Sequence, residues 1–138
     1  MRRTLVLLAA GAAAAAALAA PTAAAPSSLQ ITIRHQLHGC HAWSVDGGRY
    51  LPTQRLTTTP GTILTFADDD VMPHRLVQLA GPKVTLRTPD MQRMGATASL
   101  QLFAKGRYVF GTKPGEDYMS GVKTIGADNV LRLVVTVR

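Results

Sequence analysis

The sequence predicts an all-β protein, a Greek-key β-sandwich or barrel of about seven or eight short strands. Short segments that alternate apolar and polar residues recur along the chain, and turn signals rich in Gly, Pro and Asp separate them. No stretch of about ten residues shows the apolar period of a helix. These observations favour two sheets that each bury one face.

The individual strands follow from this alternation. Residues 29–34 alternate strictly between apolar and polar side chains, which is typical of a half-buried strand. Turns are indicated by Asp46-Gly47-Gly48, Pro60-Gly61 and Gly81-Pro82. The predicted strands are residues 29–34, 53–59, 62–67, 74–79, 83–87, 97–102, 107–112 and 130–137. The expected core residues are Ile31, Ile33, Leu64, Phe66, Leu100, Leu102, Phe110, Leu131 and Leu133.

Residues 1–25 have the composition of a secretory signal peptide. Arg2 and Arg3 form a basic start, residues 5–20 are apolar and rich in alanine, and small residues follow up to Ala25. We expect export, cleavage near this point, and one domain over residues 26–138. No second apolar run is long enough to span a membrane. The predicted location of the mature protein is therefore secreted or extracytoplasmic, with no membrane span.

The charge of the chain is basic but gives no sign of nucleic-acid binding. The 15 Lys and Arg residues and 8 acidic residues give a formal net charge of +7, which loss of Arg2 and Arg3 lowers by two. The basic residues are scattered and form no stripe interleaved with aromatic residues. We therefore expect no nucleic-acid partner.

Cys40 is the only cysteine, so the chain has no internal disulfide. In an exported protein, a single cysteine is buried and inert, joined to another chain, or protected by a ligand. Cys40 lies in the polar segment His38-Gly39-Cys40-His41-Ala42-Trp43, where the thiol is flanked by two imidazoles. Trp43 is expected to fill the core or to shield its rim.

Three segments form a recognisable series along the chain. They are residues 60–66 (Pro-Gly-Thr-Ile-Leu-Thr-Phe), the acidic turn 68–74 that ends in Pro73-His74, and residues 106–110 (Gly-Arg-Tyr-Val-Phe). In this order they resemble motifs of the cupredoxins. The resemblance extends over about residues 29–138. It implies a cupredoxin-like sandwich, with His74 in the position of the first copper ligand.

The chain departs from the cupredoxin pattern in the loop that follows Phe110. Blue-copper members carry Cys two residues after that Phe, then His, then Met. Here the matching positions hold Thr112 and, approximately, Gly115, while Met119 lies near the usual Met. The usual His₂Cys ligand set cannot be built from this loop. We expect Cys40 to supply the thiolate from another strand.

The predicted site therefore has an altered set of ligands for one copper ion, with zinc the less favoured metal. The alternatives left open are His38 in place of His41, and Glu116 or Asp117 as an oxygen ligand. Methionines more often fill gaps under loops, and a buried cysteine is often inert. If His74 is not a ligand, the alternative is a structural role as a hydrogen-bonded residue. His35 is expected on the sheet surface. The predicted metal ligands are Cys40, His41, His74, Met94 and Met119.

Three functions fit these features. The first is electron transfer through a Cys–His copper site, and the second is copper capture or delivery; each implies a partner protein. The third is a metal-free sandwich that acts as an interaction module. An enzyme is not expected, because the chain lacks catalytic-triad, glycosidase and phosphate-loop patterns.

Overall fold

A computed structural model of the chain describes residues 25–36, 40–115, 120–121 and 130–138. The predicted signal peptide lies outside these residues except for Ala25. Within the described part, no helix is long and apolar enough to cross a membrane. The described residues form nine strands: β1 (Ser28–Gln36), β2 (Cys40–Val45), β3 (Thr53–Thr58), β4 (Thr62–Asp69), β5 (His74–Ala80), β6 (Asp90–Met91), β7 (Thr97–Leu102), β8 (Gly106–Pro114) and β9 (Arg132–Val137).

The strands form two mixed sheets, which confirms the predicted all-β sandwich. The strand order is β2-β1-β4-β7 in the first sheet and β3-β9-β8-β5-β6 in the second. The pairs β1/β4 and β3/β9 are parallel and the other pairs are antiparallel. The chain crosses between the sheets several times, so strands that are distant in sequence become neighbours. This crossing brings β1 beside β4.

The two sheets bury their facing sides in one apolar core, and the predicted core is confirmed. Each of the nine predicted core residues is at most 2% exposed. Burial of each large apolar side chain stabilises the fold by about 1.5–3 kcal/mol. Trp43 is also fully buried and packs near Phe66, with 6.3 Å between their ring centroids. Trp43 is therefore a core residue.

The prediction of a strand over residues 83–87 is wrong. Only Arg87 in this segment pairs as a strand does, through an isolated bridge to Ser99. The Gln78 side chain accepts a hydrogen bond from the Val84 amide and donates one to the Pro82 carbonyl. Backbone groups that a neighbouring strand would satisfy are satisfied here by a side chain. The short strand β6 pairs with β5 instead.

Candidate metal centre

One end of the core is polar because the inward-facing positions of the first sheet change from apolar to polar residues there. Side chains two residues apart share one face of a strand. In β1, that face continues from Ile31 and Ile33 to His35, and in β4 it continues from Phe66 to Asp68. The side chains of Asp68 and of Asp70, just after β4, are completely buried.

The strand register brings these polar residues together. His35 of β1 pairs directly with His41 of β2, and directly paired residues in an antiparallel sheet have neighbouring side chains. On the other side of β1, Arg34 pairs with Asp69 of β4, so Asp70 follows next to His35. The centre thus forms where β1 and β4 end and the neighbouring strand β2 begins.

The carboxylate of Asp70 is the centre of this group. Its Oδ2 atom lies 2.7 Å from His41 Nδ1 and 3.4 Å from His74 Nε2. Its Oδ1 atom accepts a hydrogen bond of 3.0 Å from the Met72 amide and lies 3.9 Å from His35 Nδ1. Three imidazoles therefore surround one buried carboxylate.

The pKa of Asp70 is lowered far below its ordinary value. Burial by itself raises the pKa, but hydrogen bonds from His41, His74 and the Met72 amide outweigh that effect. Asp70 is therefore ionised near neutral pH, and an ionised carboxylate only accepts hydrogen bonds. It follows that the Nδ1–H group of His41 is the donor in the short contact.

The neighbouring carboxyl of Asp68 is shifted in the opposite direction. Its Oδ1 accepts a hydrogen bond of 3.0 Å from the Asp70 amide, whereas its buried Oδ2 has no hydrogen-bond partner. Burial is the main cause that raises the pKa of Asp68 to about 7, and the charge of Asp70 adds to it. Asp68 supports the turn, because its side chain bonds the backbone two residues further on.

His74 is fully buried and is held from two sides. Its Nδ1 atom lies 3.2 Å from the hydroxyl of Thr112 on β8, and its Nε2 faces Asp70. The resemblance to cupredoxins places Thr112 where blue-copper members carry their Cys ligand. The structure places the hydroxyl of Thr112 beside the ring of His74.

The structure brings two of the predicted ligands together. The rings of His41 and His74 are nearly perpendicular, at 89°, with centroids 4.6 Å apart. Met94 is 55% exposed and lies in the loop before β7. The next residue, Gly95, bonds through its amide to the carbonyl of Asp68, so Met94 lies at the same end of the molecule.

The remaining predicted site residues are described in part or not at all. Cys40 begins β2 directly before His41, but its side chain is outside the described part of the chain. The positions outside the described residues are His38, Glu116, Asp117 and Met119.

His35 was expected on the sheet surface, which its exposure confirms, but it was not predicted as a ligand. Its side chain is 52% exposed, but its ring lies 6.3 Å from the ring of His41. Donor atoms of His35, His41 and Asp70 all lie within 4.8 Å of one another. The signal was present in the sequence, because His35 continues the inward-facing series of Ile31 and Ile33.

These residues fit a metal ion. Ligand atoms that are each about 2.0–2.2 Å from one metal ion lie about 3 Å from each other. Asp70 is 2.7 Å from its contact atom on His41 and 3.9 Å from that on His35. One donor atom of each of the three residues lies within 4.8 Å of the others, so the three must move closer together to bind one ion. Imidazole and carboxylate ligands suit copper and zinc.

Comparison with known proteins bears on the fold. The matching structures include a purple cupredoxin from Nitrosopumilus maritimus, 15% identical, with a TM-score of 0.43 over 79% of this chain and 98% of that chain. They also include an oxidised mutant of amicyanin, 15% identical, with a TM-score of 0.41 over 79% of this chain and 82% of that chain. The chain is similar to these structures over most of its length, at low identity.

A third similar structure is part of a larger protein. A variant of the McoA multicopper oxidase from Aquifex aeolicus is 13% identical, with a TM-score of 0.47 over 81% of this chain and 26% of that chain. No protein-family model and no curated protein matches the chain. These similarities identify neither ligands nor an activity.

Proposed function

We propose that this protein is exported, binds one copper ion at the polar end of its sandwich, and transfers electrons. One observation carries this proposal: the imidazoles of His41 and His74 both contact one oxygen of the buried Asp70 carboxylate, at the end where Cys40 begins β2. Imidazole nitrogen is a preferred copper ligand. The similarity of fold to cupredoxins and to a multicopper oxidase domain agrees with copper but does not identify the ligands.

In this proposal Cys40 supplies a thiolate, His41 and His74 supply imidazoles, and Met94 or Met119 is a weak axial ligand. Bound copper would provide a one-electron redox couple. The protein would hold the ligands in place and exclude water. The fully buried side chain of His74 and the nearly buried side chain of His41 suit that role. The protein would exchange electrons with a protein redox partner, and no catalytic step is proposed.

The test of this proposal is a copper titration of the purified protein, followed by visible absorption and cyclic voltammetry. We expect one equivalent of copper, a thiolate-to-copper absorption band and a reversible redox wave. Cys40→Ser should remove the band, and His41→Gln should weaken binding. Tight binding without a reversible wave would instead indicate copper capture or delivery.

A metal-free interaction module is the second candidate, and a specific observation favours it. Both ring nitrogens of His74 already have contacts within the protein, one to Thr112 and one to Asp70. Asp70 is likewise fully hydrogen-bonded without an ion. If wild-type protein binds neither copper nor zinc above background, this candidate replaces the copper proposal.

A further inference from the structure

We propose that His35, His41 and Asp70 form the metal-binding set for a divalent ion, and that His74 positions Asp70 without binding the metal. This inference rests on the proposed function, in that it concerns copper binding at the same end of the sandwich. It keeps His41 as a ligand, but His35 and Asp70 replace Cys40, His74 and the methionine. It also changes the preferred metal state, from Cu(I) or Cu(II) at a thiolate site to Cu(II) or Zn(II) at an imidazole–carboxylate site.

The first argument is geometric. Within the described residues, His35, His41 and Asp70 form the one group of three potential ligands whose donor atoms all lie within 4.8 Å of one another. The register of β1 with β2 fixes His35 opposite His41. An ion between them would take the place of the proton that His41 Nδ1 shares with Asp70. His35 and His41 are held by paired strands, and Asp70 directly follows β4.

The second argument concerns access. The side chain of His35 is 52% exposed, whereas those of His41 and Asp70 are almost fully buried. The group therefore has one ligand at the surface and two below it, so an ion can enter past His35. His74 lies deeper and is not exposed at all.

The third argument concerns the role of His74. Its Nδ1 atom is held by Thr112, and its Nε2 contacts the same Asp70 oxygen that bonds His41. A residue that hydrogen-bonds to a metal ligand fixes the orientation of that ligand. Loss of such a supporting residue typically lowers metal affinity by about 10–100-fold. His74 is thus assigned as a positioning residue.

The test uses Cu(II) and compares wild-type protein with His35→Gln and His74→Gln. Binding is measured by calorimetry, and the number of coupled imidazole nitrogens by electron paramagnetic resonance. We expect two coupled imidazoles in wild type and in His74→Gln, but one in His35→Gln. Affinity should fall about 100-fold or more in His35→Gln and about 10-fold in His74→Gln. Gln36→Ala, next to His35 on β1, is the control and should bind as wild type.

The possible failures are distinct. Loss of a coupled imidazole in His74→Gln, with none lost in His35→Gln, would overturn the assigned ligand set while leaving copper binding intact. Wild-type protein that binds no Cu(II) would overturn the proposed function as well. Zn(II) titration with nuclear magnetic resonance of the imidazoles gives a check that does not depend on copper: the signals of His35 and His41 should shift most.

Discussion

At the scale of single residues, two carboxyls of one turn differ because their hydrogen bonds differ. Asp68 and Asp70 are both buried, but Asp70 contacts two imidazoles and an amide, whereas one oxygen of Asp68 has no partner. The pKa of Asp70 therefore falls and that of Asp68 rises. The same turn holds one carboxylate that stays charged and one carboxyl that gains a proton easily.

The raised pKa of Asp68 predicts how stability depends on pH. Between its unfolded value of about 4 and its folded value of about 7, the folded state binds more protons than the unfolded state. The Asp68 contribution to the free energy of unfolding should therefore fall as pH rises through this range. Asp68→Asn cannot ionise, so it should remove this decline and raise the free energy of unfolding by about 1–3 kcal/mol at pH 8, because it avoids burying a charged oxygen that lacks a partner.

Urea unfolding of metal-free protein at pH 5 and pH 8 measures this effect. Asp69→Asn is the control, because Asp69 is partly exposed and paired with Arg34, so its loss should leave the decline in place. Equal pH dependence in wild type and Asp68→Asn would contradict the prediction.

The contact between Thr112 and His74 predicts the effect of restoring a thiol. The Thr112 hydroxyl lies 3.2 Å from His74 Nδ1, a separation that suits two ligands of one ion. In a Cys40→Ser background, Thr112→Cys should therefore produce a new thiolate-to-Cu(II) absorption band. The Thr112→Ser variant in the same background should show none. The absence of a band in the Thr112→Cys variant, despite correct folding, would contradict the inference that residue 112 and His74 can bind the same ion.

At the scale of elements, the register between strands decides which residues meet. The parallel pairing of β1 with β4 joins residues about 35 positions apart, such as Arg34 and Asp69. Alternation in the sequence shows which face of a strand is buried, but it does not show which strand lies beside it. That is why His35 was not among the predicted ligands.

A glycine after β5 predicts a large local effect. Gly81 has φ of 103°, and a Cβ there would lie 2.5 Å from the Arg107 carbonyl oxygen and 2.8 Å from Tyr108 Cα, both backbone atoms. We expect Gly81→Ala to destabilise the protein by more than about 2 kcal/mol, because strain and a backbone clash add.

Gly95→Ala is the matched control for this prediction. Gly95 also has positive φ, 83°, but a Cβ there would meet no atom within 4 Å. Its substitution should cost about 1 kcal/mol, from backbone strain alone. Denaturant midpoints compare the two variants. Equal losses would show that the close approach of β8 does not matter.

At the scale of the whole molecule, the apolar core must hold the fold without an internal disulfide. Cys40 is the only cysteine, and the core joins both sheets. A metal that binds only the folded state would add to this stability. At a free Cu(II) concentration of about 100 times Kd, the gain is about 2.7 kcal/mol.

This linkage gives a prediction for metal removal. Cu(II) should raise the free energy of unfolding of wild-type protein by that amount, and a chelator should reverse the gain. His41→Gln should show a much smaller gain at the same copper concentration, because it lacks a ligand in either proposed site. An equal gain in this variant would mean that copper binds elsewhere.

The sequence by itself determined the fold class and the apolar core, and it singled out His41 and His74 as candidate ligands. Alternation over two residues and turn residues are local signals, and they are strong in residues 29–34, 97–102 and 130–137. Tertiary structure decided the rest. It put Asp70 in contact with the imidazoles, brought His35 near His41 and set Thr112 against His74. These contacts depend on the pairing of distant strands, which local sequence patterns do not specify.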